Sequence, residues 1–195
     1  MIDVHERFNP ENKKSPVRIP EFNRYDLAKI FNEMGYKVGA EIGVERAVYS
    51  KAICRRVRGV KLYAIDAWER YPEYTSRLHV EQERETEFYE ETKKRLAEYN
   101  TEIIKAYSMD AVRTFENESL DFVYLDGNHE FNFIMEDLIG WGRKVRKGGM
   151  IATHDWYLHR WIDVIEAVNI YTRMNNVKEF FITDERTPSA FWIKE

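Results

Sequence analysis

The chain has 195 residues, of which 44% are hydrophobic and 14% aromatic, and its 30 basic and 34 acidic residues give a net charge of −4. This length and composition predict one folded domain rather than a disordered chain, and no basic excess indicates a nucleic-acid-binding protein. The single cysteine, Cys54, excludes an internal disulfide. No apolar run approaches the ~18 residues of a membrane span and no signal peptide is apparent, so we expect a soluble cytoplasmic protein.

Hydrophobic periodicity divides the chain into an N-terminal arm and one domain. Residues 1–22 hold three of the five prolines and many charges, which predicts an extended arm, and residues 23–195 form the domain. Helices are predicted at 24–34, 45–57, 81–99, 109–116, 130–146 and 160–173, and strands at 36–42, 61–65, 102–106, 120–125, 150–153, 178–183 and 190–193.

The order of these elements predicts the fold class. Five alternating strand–helix units are typical of an α/β, doubly wound (Rossmann-like), mostly parallel sheet. The last two strands flank a short loop that contains Pro188, which indicates a C-terminal antiparallel hairpin at the edge of the sheet. We therefore predict a seven-stranded sheet.

Polar side chains follow most of the predicted parallel strands. In an open parallel sheet, ligands bind outside the carboxyl ends of the strands, where the strand order reverses. These residues should therefore gather along one rim: Glu41, Asp66, Ser108, Asp126, His154 and Asp155.

The turn after the first strand of the domain reads Glu41-x-Gly43-x-x-x-Ala47. One glycine stands where the dinucleotide fingerprint needs three, and Glu45 and Arg46 would disfavour a diphosphate, so a ligand without phosphates is favoured. Asp66 ends the next strand, 23 residues after Gly43, which is close to the spacing at which an acid accepts hydrogen bonds from a ribose diol. Each signal is weak alone, because any α/β domain has polar residues at strand ends.

Four motifs of this sequence resemble one family, the class I S-adenosylmethionine-dependent methyltransferases. They are Ala40-Glu-Ile-Gly-Val44, Tyr63-Ala-Ile-Asp66, Phe122-Val-Tyr-Leu-Asp-Gly-Asn-His129 and Val145-Arg-Lys-Gly-Gly-Met-Ile-Ala-Thr-His-Asp155, and the resemblance spans roughly residues 25–195. The cephalosporin-hydroxylase-like and macrocin-type O-methyltransferases are the most similar members, and catechol O-methyltransferase is more distant. The chain departs from the family pattern at Glu45 and Ala47, where many members have glycine.

The resemblance implies a cofactor site and an O-methylation reaction. S-adenosylmethionine is the implied cofactor, with its methionine moiety against Glu41 and Gly43, its ribose hydroxyls bound at Asp66 and its adenine flanked by Ser108 and Asp110. Ala67 and Asp126 are further implied cofactor-binding residues. The implied acceptor is a small hydroxylated molecule.

The resemblance also implies a divalent metal and a general base. Catechol-type enzymes hold magnesium through acidic and amide oxygens at positions that match Asp126, His154 and Asp155. Since imidazole suits zinc, iron or manganese better than magnesium, His154 leaves the metal open, and it could instead bind the acceptor or orient Asp155. His129 stands where those enzymes carry a lysine base, and an imidazole of ordinary pKa, near 6.5, can accept a proton at neutral pH. A capping role for His129 or Asp126 is the structural alternative.

Other interpretations remain open from the sequence. The fold alone does not determine function, so a protein that binds the cofactor without catalysis, or an assembly module, is the main alternative, and a nucleotide- or NAD-dependent enzyme is a third. The loop after Asp66 carries Trp68 and Tyr71, which could cover the adenine or the acceptor. We expect no nucleic-acid or membrane partner, and a homo-oligomer is possible through the arm or the charged helix at 81–99.

Overall fold

The computed structural model describes residues 2–69, 82–157 and 162–195. Its helices are α1 (Val4–Phe8), α2 (Arg24–Glu33), α3 (Val48–Arg56), α4 (Gln82–Leu96), α5 (Ser108–Ala111), α6 (Phe131–Lys144) and α7 (Ile162–Met174). Its strands are β1 (Val17–Arg18), β2 (Val38–Ile42), β3 (Lys61–Asp66), β4 (Thr101–Lys105), β5 (Leu120–Leu125), β6 (Val145–Thr153), β7 (Phe181–Ile182) and β8 (Ala190–Ile193). A 3₁₀ turn at Val112–Thr114 follows α5.

One mixed sheet organises the molecule, in the order β1-β7-β8-β6-β5-β2-β3-β4. The pairings along β6, β5, β2, β3 and β4 are parallel, and β8 is antiparallel to both β6 and β7. The predicted doubly wound sheet with a terminal antiparallel hairpin is therefore confirmed. The order reverses at β2, which pairs with β3 on one side and with β5 on the other, so the switch point lies at the carboxyl ends of β2 and β5.

The sheet has eight strands rather than seven because residues 1–22 contribute one. This segment, predicted as an extended arm, begins with α1, whose N-cap Asp3 accepts a hydrogen bond from the Glu6 amide at 3.1 Å. It continues into β1, where Val17 and Ile19 donate to carbonyls of Phe180 and Ile182 beside β7. A two-residue strand is too short for periodicity to reveal.

The core consists of two apolar layers, one on each face of the sheet. On one face, Phe31 of α2 stacks on Phe122 of β5 with ring centroids 4.1 Å apart, and Ile53 of α3 is fully buried. On the other face, Leu138 of α6 and Val168 of α7 are fully buried. Burying side chains of this size contributes roughly 1.5–3 kcal/mol each, so the helical faces predicted from spacing anchor both layers.

Element boundaries differ from the predictions where glycine was read as a break. β6 begins at Val145, directly after α6, and passes through Gly148 and Gly149, whereas residues 150–153 were predicted. β7 is shorter than predicted and covers Phe181–Ile182 of the expected 178–183. Among the described residues, no helix is both long and apolar enough to cross a membrane.

Candidate functional site

A cavity of about 740 Å³ opens at the switch point of the sheet. This volume lies within the ~300–1,000 Å³ of typical small-molecule sites. Its wall includes seven residues predicted from the sequence: Glu41, Gly43, Asp66, Ala67, Ser108, Asp126 and His129. His154 and Asp155 are not in this wall and lie against Asp126 and His129 instead. The predicted rim residues are thus brought together.

Gly43 lies where the loop after β2 touches the loop after β5. Its φ is +85°, and a Cβ at this position would be 2.1 Å from the carbonyl oxygen of Asp126. The Gly43 amide donates to the Ile65 carbonyl at 2.9 Å, which holds the turn against β3. Glycine is therefore required here both for the backbone conformation and for the close approach of Asp126.

Glu45 and Ala47, where the resembled family often has glycine, keep a glycine-like backbone. Their φ values are 51° and 55°, in the left-handed region that costs a non-glycine residue roughly 1 kcal/mol. The carbonyl of Glu45 accepts hydrogen bonds from Trp68 Nε1 at 2.7 Å and from Thr92 Oγ1 at 3.0 Å. These contacts, from the loop after β3 and from α4, stabilise the turn without glycine.

Asp66 organises the same turn through its carboxylate. Oδ2 accepts from the amides of Val44 at 2.8 Å and Glu45 at 2.9 Å, and Oδ1 accepts from the amide of Trp68 at 3.0 Å. Burial raises the pKa of Asp66, and these backbone hydrogen bonds oppose the rise. Asp66 also lines the cavity, so the carboxylate that holds the turn lies at the wall of the site.

Trp68 does not cover the cavity, which corrects one interpretation of its loop. The side chain is fully buried under the turn and packs on Tyr89 of α4, with ring centroids 4.9 Å apart. The indole stabilises the Glu45 carbonyl rather than a ligand. Tyr71, the other aromatic considered there, lies outside the described residues.

Glu41 is a buried carboxyl at the end of β2. It accepts a hydrogen bond from the hydroxyl of Ser50 on α3. Burial raises the pKa of Glu41 to about 8, and the nearby charges of Asp126 and Asp66 act in the same direction. At neutral pH this carboxyl therefore carries a proton and can donate a hydrogen bond into the cavity that it lines.

Ser108 is oriented by a carboxyl that the sequence analysis missed. Its hydroxyl donates to Asp137 of α6 and accepts from Trp141 Nε1 at 2.8 Å. Burial raises the pKa of Asp137 to about 7, and Asp137 itself lines the cavity. The available signal was an acid on the apolar face of a helix that also carries Trp141. Asp110, suggested beside the adenine, instead is exposed and pairs with Arg113 at 3.1 Å.

Asp126, His129, His154 and Asp155 form an acid–imidazole cluster, beyond the ends of β5 and β6. His154 Nδ1 lies 3.2 Å from Asp126 Oδ1 and 3.4 Å from Asp155 Oδ1. His129 Nε2 lies 2.6 Å from Asp155 Oδ2 and 3.7 Å from Asp126 Oδ1. Each carboxylate thus faces both imidazoles.

The cluster is ionised throughout. Burial lowers the pKa of His129 and of His154, but hydrogen bonds and charge from Asp126 and Asp155 outweigh it and raise both values to about 10. Burial likewise raises the pKa of Asp126 and Asp155, and the imidazoles more than reverse this, so both carboxyls titrate below their usual range. With no cation bound, the two carboxylates therefore shift the pKa of His129 above the ordinary value near 6.5.

The same residues fit a divalent cation. One ligand atom each from Asp126, His154 and Asp155 lies within 4.8 Å of the others. Two hard carboxylate oxygens with one imidazole nitrogen form a donor set that suits manganese, iron or zinc better than magnesium. A cation there would take the place of the imidazole protons as the partner of the carboxylates.

Arg24 is a second residue that the sequence analysis missed. It is the first residue of α2 and lines the cavity, with Nη1 3.9 Å from Asp126 Oδ2 and 3.4 Å from His154 Nε2. Nothing in the local pattern marks it, because a helix-starting arginine is ordinarily solvated.

Comparison with known proteins agrees with this geometry. The model of a family described as a methyltransferase domain matches residues 37–156. A search of curated proteins finds no significant match. The O-methyltransferase TomG from Streptomyces achromogenes, involved in tomaymycin synthesis and solved with SAM, is similar in structure: TM-score 0.62 and 14% identity, over 98% of this chain and 86% of that one. An O-methyltransferase from Bacillus cereus in complex with SAH has a TM-score of 0.61 and 11% identity, over 97% and 88%.

Proposed function

The chain belongs to the methyltransferase-domain family, and from that premise we propose that it transfers the methyl group of S-adenosylmethionine to a hydroxyl oxygen of a small molecule. One observation carries the proposal. The described cavity is lined both by the Gly43 turn and Asp66 and by Asp126 and His129. A methyl donor and an acceptor must meet in line, and this cavity is large enough for both.

The proposed cofactor position follows the order of the lining residues. Glu41, Gly43 and Asp126 are assigned to the methionine moiety. Asp66 and Ala67 are assigned to the ribose, because both line the cavity and a carboxylate at this strand end is placed to accept hydrogen bonds from a diol. Ser108 is assigned to the adenine: its proton is committed to Asp137, so it offers a lone pair to an amino group.

The charge of the wall favours this cofactor over a dinucleotide. Glu45, Glu69 and Glu85 line the cavity close to Asp66. Burial and the neighbouring carboxylates Asp66 and Glu45 raise the pKa of Glu85 to about 7, which is the signature of crowded negative charge. Such a wall repels a diphosphate and is compatible with a cationic sulfonium.

A divalent cation on Asp126, His154 and Asp155 is part of the proposal. When bound, it would lower the pKa of an acceptor hydroxyl. His129 lies in the wall beside Asp155 and is the proposed base, with Asp126 orienting it. Asp126 and Asp155 raise the pKa of His129, and a cation on these carboxylates would oppose that rise. Since His129 accepts a proton only in its neutral form, we expect activity to rise with pH.

The alternatives are weaker on the same evidence. A cofactor-binding protein without catalysis would be favoured if the rim lacked a substrate-sized cavity, and a cavity of about 740 Å³ is present there. The small-molecule acceptor, the absence of a nucleic-acid partner, a homo-oligomer and a cytoplasmic location stay predictions.

Isothermal titration tests the proposal. S-adenosylmethionine and NAD are titrated separately, with and without Mg²⁺ or Mn²⁺, into wild type, Asp66→Ala and the exposed control Asp110→Ala. We expect micromolar binding of S-adenosylmethionine that Asp66→Ala weakens and Asp110→Ala leaves unchanged. Failure of the wild type to bind it under every condition would rule the proposal out.

A further inference from the structure

Arg24 places a permanent positive charge in the wall of the cavity. Of the described residues that line it, only Arg24 is an arginine or lysine. An arginine guanidinium is not deprotonated in proteins. The side chain is therefore charged at every working pH, and the cofactor assignments above do not use it.

The surrounding residues hold this arginine in one position. Its amide donates to Glu185 Oε1 at 2.7 Å, and its carbonyl accepts from the hydroxyl of Tyr49 at 2.8 Å. The guanidinium lies over the rings of Tyr25 and Tyr49, with its carbon 5.7 and 5.5 Å from their centroids. A cation supported in this way on both backbone and side chain is preorganised for a ligand.

Asp126, the nearest carboxylate, does not occupy all the N–H donors of the Arg24 guanidinium. The contact from Nη1 to Asp126 Oδ2 is 3.9 Å, longer than the ~2.7–2.9 Å of a direct charge-assisted hydrogen bond. The other oxygen of Asp126 is engaged by His154 at 3.2 Å. A guanidinium has five N–H donors in a planar fork, so Arg24 keeps donors for an anion in the cavity.

We propose that Arg24 is a carboxylate-binding residue of this cavity. The inference rests on the proposed function and deepens it. A planar carboxylate matches the guanidinium fork, and the position beside Glu41 and Asp126 is where the cofactor's methionine tail and the acceptor meet. Two molecules could supply that carboxylate, the amino-acid tail of S-adenosylmethionine or an acidic acceptor, and the experiment separates them.

The first arm compares two cofactors that differ by one carboxylate. S-adenosylmethionine and decarboxylated S-adenosylmethionine are titrated into wild type, Arg24→Gln and Arg24→Lys. If the tail is the ligand, Arg24→Gln raises the Kd of S-adenosylmethionine at least about tenfold and that of the decarboxylated compound less than about twofold. Arg24→Lys should lie between, because lysine keeps the charge and loses the fork.

The control is Arg56→Gln. Arg56 also lies over the ring of Tyr25, at 5.2 Å, but does not line the cavity, so its loss should leave both affinities unchanged. If Arg24 only positioned Asp126 and His154, the two cofactors would weaken by the same factor.

The second arm compares two aromatic diols. Binding of 3,4-dihydroxybenzoate and of catechol is measured in the presence of S-adenosylhomocysteine and Mn²⁺. If Arg24→Gln weakens only the benzoate, the acceptor is the source of the carboxylate. If it changes neither the cofactor ratio nor the diol ratio, the inference is overturned. If the wild type does not bind S-adenosylmethionine, the proposed function is overturned instead.

Discussion

Two parts of the site shift the pKa of buried carboxyls in opposite directions. They are the proposed cofactor contacts, here called the cofactor end, and the acid–imidazole cluster, here called the cluster end. At the cofactor end, burial raises the pKa of Glu41 to about 8 and that of Asp137 to about 7. At the cluster end, burial acts in the same direction on Asp126 and Asp155, yet both pKa values fall below the usual range. The difference lies in the partners: hydroxyls of Ser50 and Ser108 at one end, imidazoles at the other.

This comparison shows how one rim serves two chemistries. A buried carboxyl whose direct partner is a neutral hydroxyl is shifted toward its protonated form, in which it can donate a hydrogen bond as well as accept one. A carboxyl between cations stays ionised and can exchange a proton-bearing partner for a metal ion. The strand ends supply the same residue type in both cases, and the neighbours decide its role.

The largest expected effect comes from disrupting the close contact between Gly43 and the carbonyl of Asp126, where the cofactor end meets the cluster end. Gly43→Ala should destabilise the fold by more than about 3 kcal/mol and abolish cofactor binding, because its Cβ would overlap the Asp126 carbonyl. Gly59→Ala is the matched control, since its φ is +70° with no atom within 4 Å, and it should cost only about 1 kcal/mol. Urea unfolding and calorimetric titration measure both. Equal losses would mean that backbone conformation, not the contact, accounts for Gly43.

The second effect concerns the cluster end alone. Asp126→Asn or Asp155→Asn should weaken Mn²⁺ binding by about 100-fold or more, because a charged oxygen ligand is lost. The exposed Asp110→Asn serves as the control. Mn²⁺ titration measures the affinities. Unchanged affinity in both cluster variants would place the cation elsewhere or exclude it.

The third effect is a pH dependence of stability at the cofactor end. The unfolded state loses the proton of Asp137 near pH ~4, whereas the folded state keeps it to pH about 7. Between these values the folded state binds more protons, so the free energy of unfolding falls as pH rises and then levels off. Asp137→Asn has no titrating carboxyl at this position, so its free energy of unfolding should not fall in this way. The variant should be more stable than wild type by about 1–3 kcal/mol at high pH.

Urea unfolding at a series of pH values between about 4 and 8 follows this difference. The advantage of Asp137→Asn should shrink toward the acidic end of the series. The exposed Glu98→Gln should show no such trend. A constant difference across the series would mean that Asp137 is not protonated in the folded protein.

The smallest effect is expected from removing the hydrogen bonds that Trp68 and Thr92 donate to the Glu45 carbonyl in the Gly43 turn. Trp68→Phe removes the indole donor to the Glu45 carbonyl, which costs about 1 kcal/mol for the hydrogen bond, in addition to the volume lost from this fully buried side chain. Thr92→Val removes the other donor to the same oxygen. Thermal unfolding of both single variants and the double variant gives the coupling, and strict additivity would argue against a shared role at that carbonyl.

Much of the site could be predicted from local pattern. Alternating strand and helix periods place Asp66 and Asp126 at the ends of parallel strands, which must lie on one rim. Arg24 and Asp137 could not be found in this way. They lie on helices, where the pattern indicates only which face is buried, and their place in the cavity depends on how α2 and α6 pack on the sheet.

The sequence by itself therefore determined the doubly wound sheet, the Gly43 turn and the strand-end residues, because these follow from periodicity and residue type. The tertiary structure alone decided that residues 1–22 add a strand, that Trp68 supports a turn instead of covering a ligand, and that two carboxylates raise the pKa of His129. Strand pairing, packing and protonation all depend on neighbours distant in the chain. A residue's charge in particular reflects the balance between its burial and its partners, and that balance exists only in the folded protein.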